Sequence, residues 1–217
     1  MNKVGVLRKA KDFVKERLER EGTGHDWWHI QRVINNANLI CRSEKADRFV
    51  VLLSILLHDV GDRKVIHKDE DDYSIARNFL KKNGIQKDII ERVMFIIENM
   101  SFSKSLNSRR TTAPIEFYVV QDADRLDGMG AIGIARAFAF GGSRGRPLYD
   151  PTKKAQKIDT TKNYRKLNSS TLHHFEEKLL LLKGLMNTRT ARKLARGRHE
   201  YMKSYLKRFH DEWDGRV

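Results

Sequence analysis

The run Phe49-Val50-Val51-Leu52-Leu53-Ser54-Ile55-Leu56-Leu57 sets eight apolar side chains in nine residues and ends directly on His58-Asp59. Burying apolar surface is favourable by roughly 25 cal/mol per Å², so this segment belongs at the centre of whatever the chain becomes. A run this short reads as a buried strand or as a buried helix. Its length and its helical neighbours favour a helix over residues 48–58, with Asp47 as its N-cap and Gly61 as its stop. A histidine and an aspartate at the end of so apolar an element are costly to bury unless something compensates them.

The surrounding segments repeat at helical spacing. Residues 4–20 carry apolar positions at Val6, Phe13, Val14 and Leu18, and Gly22-Thr23-Gly24 breaks the pattern. Residues 27–42 follow, capped by Asp26 or Thr23, with an apolar face of Ile30, Val33, Ile34, Ala37 and Ile40. Residues 74–82 and 85–100 form a helical hairpin around Asn83-Gly84, and 101–113 read as a loop. Residues 115–126 suit another buried helix, although Phe117-Tyr118-Val119-Val120 alone would suit a strand. A helix at 131–140, a glycine-rich loop at 141–151 and a polar flap at 153–168 lead to two amphipathic helices, 170–183 and 188–209. The fold class is all-α. One domain is expected over residues 1–217, with a metal-binding core at about 24–140 and C-terminal helices at about 170–210 packed on it.

With 40% hydrophobic residues and three prolines, the composition is that of a folded, helix-rich chain. No apolar run approaches the roughly 20 residues of a membrane span, so no membrane partner is expected. The first segment is amphipathic and lacks a signal peptide's apolar region, so a cytoplasmic location is expected. The single cysteine, Cys41, excludes an internal disulfide framework and suits a small buried hydrophobe. A formal charge of +15, much of it within 153–166 and 189–208, concentrates anions: nucleotides, phosphorylated metabolites or nucleic acid.

Three segments carry candidate chemistry. In GHDWWHIQRV, His25 and His29 are four apart and share a helix face, as the histidines of a zinc protease do. That parallel fails, because the protease base is a glutamate, Asp26 is a methylene shorter, and no third ligand follows on the element. In LLHDVGD, His58 and Asp59 offer a nitrogen and a carboxylate that a divalent metal would satisfy together. A C-terminal histidine on the helix dipole plus an exposed acid is the plainer alternative. In VVQDADRLDG, Asp122, Asp124 and Asp127 stand at the polar end of an apolar segment, as metal ligands or as ordinary caps and ion pairs. Trp27 and Trp28 are read as packing residues at the start of their helix.

The wording HDWWHIQRV, LLHDVGDRK, VVQDADRLDGMGAIGIARAFAFGG, YDP and HHFEEKLLLLKGLMNTRTARKLARGRHEYM resembles the HD-domain metal-dependent phosphohydrolase superfamily, in its small single-domain bacterial branch. The resemblance spans nearly the whole chain and implies a helical bundle that hydrolyses phosphate esters or anhydrides. By position it implies His29, His58, Asp59 and one aspartate of 122–127 as metal ligands. Asp124, inside ADRLD and followed by Arg125, matches the branch register. Asp122 lies about 200° away round a helix and would orient a ligand from one step back or interact with Arg125. Dinuclear branches add histidines between the His-Asp pair and the last aspartate, where this chain has only His67, read as a surface residue. One divalent ion is therefore expected: Mn, Fe, Ni, Zn or Mg. The four ligands leave room for a water and a phosphate oxygen, and attack by the metal-bound water is the implied step. Asp62 stands where relatives carry a proton-transfer residue. Arg125 and Lys104 are candidates to bind substrate phosphates, Arg144 and Arg146 to rim the pocket, and His25 to line its mouth. A nucleotide is the expected substrate, as nucleoside triphosphate pyrophosphohydrolase or phosphatase. The alternatives are a basic nucleic-acid-binding protein or a metal-sensing HD protein without turnover.

Overall fold

The computed structural model describes residues 2–18, 26–60, 73–105, 112–156 and 169–217. Its centre is the apolar run. Asp47 accepts a hydrogen bond from Phe49 N at 3.0 Å and starts α3, Arg48–Leu57, with His58 as the C-cap. Seven of its apolar side chains are buried, from Phe49 to Leu57, along with Ser54. Around α3 pack α1 (Lys3–Leu18), α2 (Trp27–Ile40), α5 (Lys87–Asn99) and α7 (Ile115–Asp127), each turning a buried stripe inward. The stripe of α1 is Val6, Ala10, Val14 and Leu18, a strict helical spacing.

Between them, α4 (Ser74–Lys82) folds back onto α5 through Asn83-Gly84, where Gly84 takes a left-handed φ of +66°. Residues Phe102–Ser105, inside the expected loop, form the short helix α6. In α7 the buried apolar set is Val119, Val120, Ala123 and Leu126, with Phe117 and Tyr118 less covered, so the three-and-four spacing of the apolar positions decides for helix over strand.

The C-terminal third departs most from its expected outline. Helix α8, Gly130–Ser143, runs through the first glycines of the expected loop. A Cβ on Gly141 would stand 2.1 Å from Thr171 Oγ1, so this glycine lets α8 meet α9, Thr171–Glu177, in close contact. The expected helix over 170–183 is two elements. The chain breaks at Lys178 (φ −139°, ψ −55°) into a 3₁₀ segment, Leu179–Leu185, whose three-residue repeat buries Leu179 and Leu182 together. Thr188 then caps α10, Arg189–Trp213, which lies across α8, α7, α2 and the 3₁₀ segment.

Two packing expectations also change. Trp27 packs on the core, but Trp28 is 66% exposed, because the next helix position points outward. Cys41 is half-buried against the core rather than enclosed, and burial pushes its thiol up from the ordinary range. Among the described residues no helix is long and apolar enough to cross a membrane.

Candidate metal centre

Three helix ends deliver the site. Asp26 caps α2 by accepting from His29 N at 2.7 Å, which fixes the first turn and directs the His29 ring inward. The C-terminus of α3 carries His58 and Asp59, and the last turn of α7 carries Asp124 and Asp127. Donor atoms of His29, His58 and Asp59 all lie within 4.8 Å of one another, a cluster able to hold a metal ion. Asp124 joins its edge: Oδ1 is 3.4 Å from His29 Nε2 and 3.9 Å from His58 Nε2. Asp59 bridges the two rings, with Oδ2 3.4 Å from His29 Nε2 and Oδ1 3.3 Å from His58 Nε2. The His29 side chain is fully buried and those of His58 and Asp59 are 6% exposed, whereas that of Asp124 is 35% exposed. The cluster therefore opens to solvent beside Asp124.

The far side of each ring is anchored. His58 Nδ1 lies 2.8 Å from the Ile55 carbonyl, and His29 Nδ1 lies 2.7 Å from Asp127 Oδ2. Asp127 also accepts from Arg32 Nε at 2.7 Å, Arg32 Nη2 at 3.1 Å and Arg136 Nη1 at 2.8 Å. Burial alone would raise its carboxyl, but the bonds from His29 and Arg32 and the Arg136 charge outweigh it. They hold Asp127 well below the usual carboxylate range. Burial pulls His29 below the usual imidazole range against the opposing pull of Asp127 and Asp59, so the neutral ring is favoured.

These anchors test whether a metal fits. A carbonyl and an ionised carboxylate only accept hydrogen bonds, so in the neutral rings the proton sits on Nδ1 and Nε2 presents a lone pair. Two lone pairs then face carboxylate oxygens at 3.3–3.9 Å. Such electron-rich atoms repel one another until a cation lies among them. Two imidazoles and two carboxylates suit a borderline or hard divalent ion. The residues fit the group.

The other candidates fall elsewhere. Asp122 is fully buried and accepts from Asn187 N at 2.9 Å, Asn187 Nδ2 at 2.9 Å and Thr188 N at 2.7 Å, securing the start of α10. Burial raises its carboxyl, and these hydrogen bonds moderate the rise. Arg125 is buried and donates from Nη1 to the Leu185 carbonyl, tying α7 to the 3₁₀ segment. Lys104 donates to the Glu98 carbonyl at the end of α5 and lies over the Tyr73 ring. In these contacts both cations hold backbone carbonyls, and neither contact involves the cluster. Arg144 and Arg146 stack on Phe140, 5.5 and 5.7 Å from its centroid. His25, Asp62 and His67 lie outside the described residues. The Asp127–Arg32–Arg136 anchor went unassigned at the sequence level, though two spacings signal it: Asp127 is three residues past Asp124, and Arg32 three past His29.

A helical bundle in which a histidine, a His-Asp pair and a later aspartate meet is the arrangement of an HD domain, and the HD-domain family model matches residues 27–129. The chain belongs to the HD-domain family. Bacillus subtilis YpgQ is 36% identical over 215 residues, covering 99% of this chain and 97% of its own. Among solved structures, a Lactobacillus plantarum protein superposes with a TM-score of 0.88 at 34% identity, covering 97% of this chain and 98% of its own. An HD-superfamily hydrolase of Bacillus thuringiensis matches at 39% identity and a TM-score of 0.75, over 98% of this chain and 99% of its own. YpgQ in complex with ADP matches at 38% identity and a TM-score of 0.75, over 95% and 97%.

Proposed function

We propose that this chain is a metal-dependent phosphohydrolase acting on a nucleotide, first of all a nucleoside triphosphate, at a phosphate ester or anhydride bond. The carrying observation is the cluster of His29, His58 and Asp59 with Asp124 at its open edge, both rings anchored through Nδ1. His29, His58, Asp59 and Asp124 would hold one divalent ion. Such an ion supplies Lewis acidity, lowering the pKa of a water and neutralising phosphate charge. The residues do the rest. Asp124 is the ligand a substrate meets first, being the most exposed of the four. Asp62, three residues beyond Asp59, is assigned proton transfer to and from the reacting oxygens. The +15 charge draws polyphosphates toward the surface. The ADP bound to YpgQ supports a nucleotide over other phosphoesters.

The test is a hydrolysis screen of nucleoside tri-, di- and monophosphates against Mn, Fe, Ni, Zn and Mg. Turnover is expected with at least one pair and should vanish in His58→Ala and Asp124→Ala. No turnover under any metal, or turnover unchanged in both variants, overturns the reading.

A further inference from the structure

We infer that Asp127 is a positioning residue that selects the metal-binding tautomer of His29, and that Arg32 and Arg136 serve it by keeping it acceptor-only. The inference rests on the metal-centre reading and extends it to three residues which that reading leaves without a part.

The geometry runs through three elements. Asp127, whose side chain is 2% exposed, ends α7; His29 and Arg32 stand one turn apart on α2; Arg136 comes from α8. Its Oδ2 takes His29 Nδ1 at 2.7 Å and Arg136 Nη1 at 2.8 Å, while Oδ1 takes Arg32 Nε at 2.7 Å. The other groups facing the carboxylate are guanidinium N–H donors, and they occupy both of its oxygens. A carboxyl proton there would point at a donor, so Asp127 can only accept, and His29 Nδ1 must supply the hydrogen. In the neutral ring that leaves Nε2 bare, turned toward Asp59 and Asp124. A metal ligand held by a carboxylate on its second nitrogen also becomes a stronger base toward the ion. Two guanidinium groups on a single buried carboxylate would be redundant as mere charge neutralisation. As a fork they fix its plane, and with it the plane of the His29 ring.

An amide at this position separates positioning from charge. In Asp127→Asn one side-chain atom donates. Facing the arginines it opposes their N–H groups; facing His29 it demands a bare Nδ1 and sends the proton to Nε2, into the metal site. Two readouts on the full chain test this. Imidazole ¹⁵N–¹H correlation spectra of the metal-free protein near pH 8 are expected to show His29 as the Nδ1–H tautomer, and Asp127→Asn to shift it toward Nε2–H. Titration with Mn²⁺ or Co²⁺ is expected to show affinity about 10–100-fold weaker in Asp127→Asn. Asp127→Glu, which restores a carboxylate, should recover part of it. An Nε2–H tautomer in the unaltered protein overturns the inference, whether or not the variant folds. So does a folded Asp127→Asn that binds metal as tightly as its parent. Should the parent bind no divalent ion, the metal-centre reading itself fails, while the tautomer measurement still decides the role of Asp127.

Discussion

Asp122 and Asp124 are two residues apart and do opposite work. Two positions along a helix turn the side chain by about 200°. Asp122 therefore faces α10, where it satisfies the backbone N–H groups of Asn187 and Thr188, while Asp124 faces His29 and His58. Replacing Asp122 by alanine strands buried donors, so it is expected to cost about 1–3 kcal/mol of stability, read by denaturant unfolding, and to leave metal affinity within a few-fold. Replacing Asp124 by alanine is expected to reverse the pattern: metal binding lost in a calorimetric titration, stability of the metal-free chain changed by about 0.5 kcal/mol or less. Equal losses of metal by both variants would contradict the assignment. The three segments that meet here are legible in the sequence because each sets a polar residue against apolar neighbours whose burial must be compensated. Asp127 is legible only in part: its spacing from Asp124 puts it beside the cluster, but Arg136 arrives from another helix, and no spacing within one element encodes that.

Between elements, the turn from α7 to α8 is a close joint of backbone on backbone. A Cβ on Gly133 would stand 2.4 Å from both the carbonyl carbon and the oxygen of Gly128, a backbone contact that no rotamer can relieve. Gly133→Ala is expected to destabilise by about 1–3 kcal/mol, seen as a lowered midpoint at unchanged m-value. Because α7 ends on Asp127 and α8 carries Arg136, the same substitution should weaken metal binding, whereas Gly142→Ala, with open space around it, should not. Glycine is also where the outline was hardest to read. Gly141-Gly142 in a sequence looks like a loop, yet here it is the closing turn of α8, its lack of a side chain serving contact with Thr171. The leucines 179–182 likewise look like the end of an amphipathic helix. The tighter 3₁₀ winding goes with packing against both α9 and α10, which the sequence does not spell out. Helices such as α1, α4 and α7 were legible nearly to their ends because a single buried face sets their spacing.

For the molecule as a whole, charge governs the response to acid and salt. The formal excess of +15 repels itself, and exposed, solvent-screened pairs such as Lys207–Asp211 and Arg208–Glu212 offset it only weakly. Repulsion wins, so raising NaCl from 0.05 to about 0.3 M should raise the melting temperature of the metal-free chain rather than lower it. Acid works the other way. His199, buried where α10 meets the 3₁₀ segment, is held below its ordinary value of 6.5, by burial first and then by Lys183. A depressed value means the folded state binds the proton less readily than the unfolded one. Its stabilising share is whole above pH 6.5 and lost as pH falls through the folded value. With eight histidines in the chain, acid also adds positive charge to a surface already in excess. Melting temperatures of the metal-free chain are therefore expected to fall from pH 7.5 to 5.5, and His199→Gln, a neutral side chain at every pH, should narrow the fall by a few degrees or less. An equal fall in His199→Gln would remove His199 from the account, and a rise on acidification would show that neither histidine burial nor net charge governs the fold's stability.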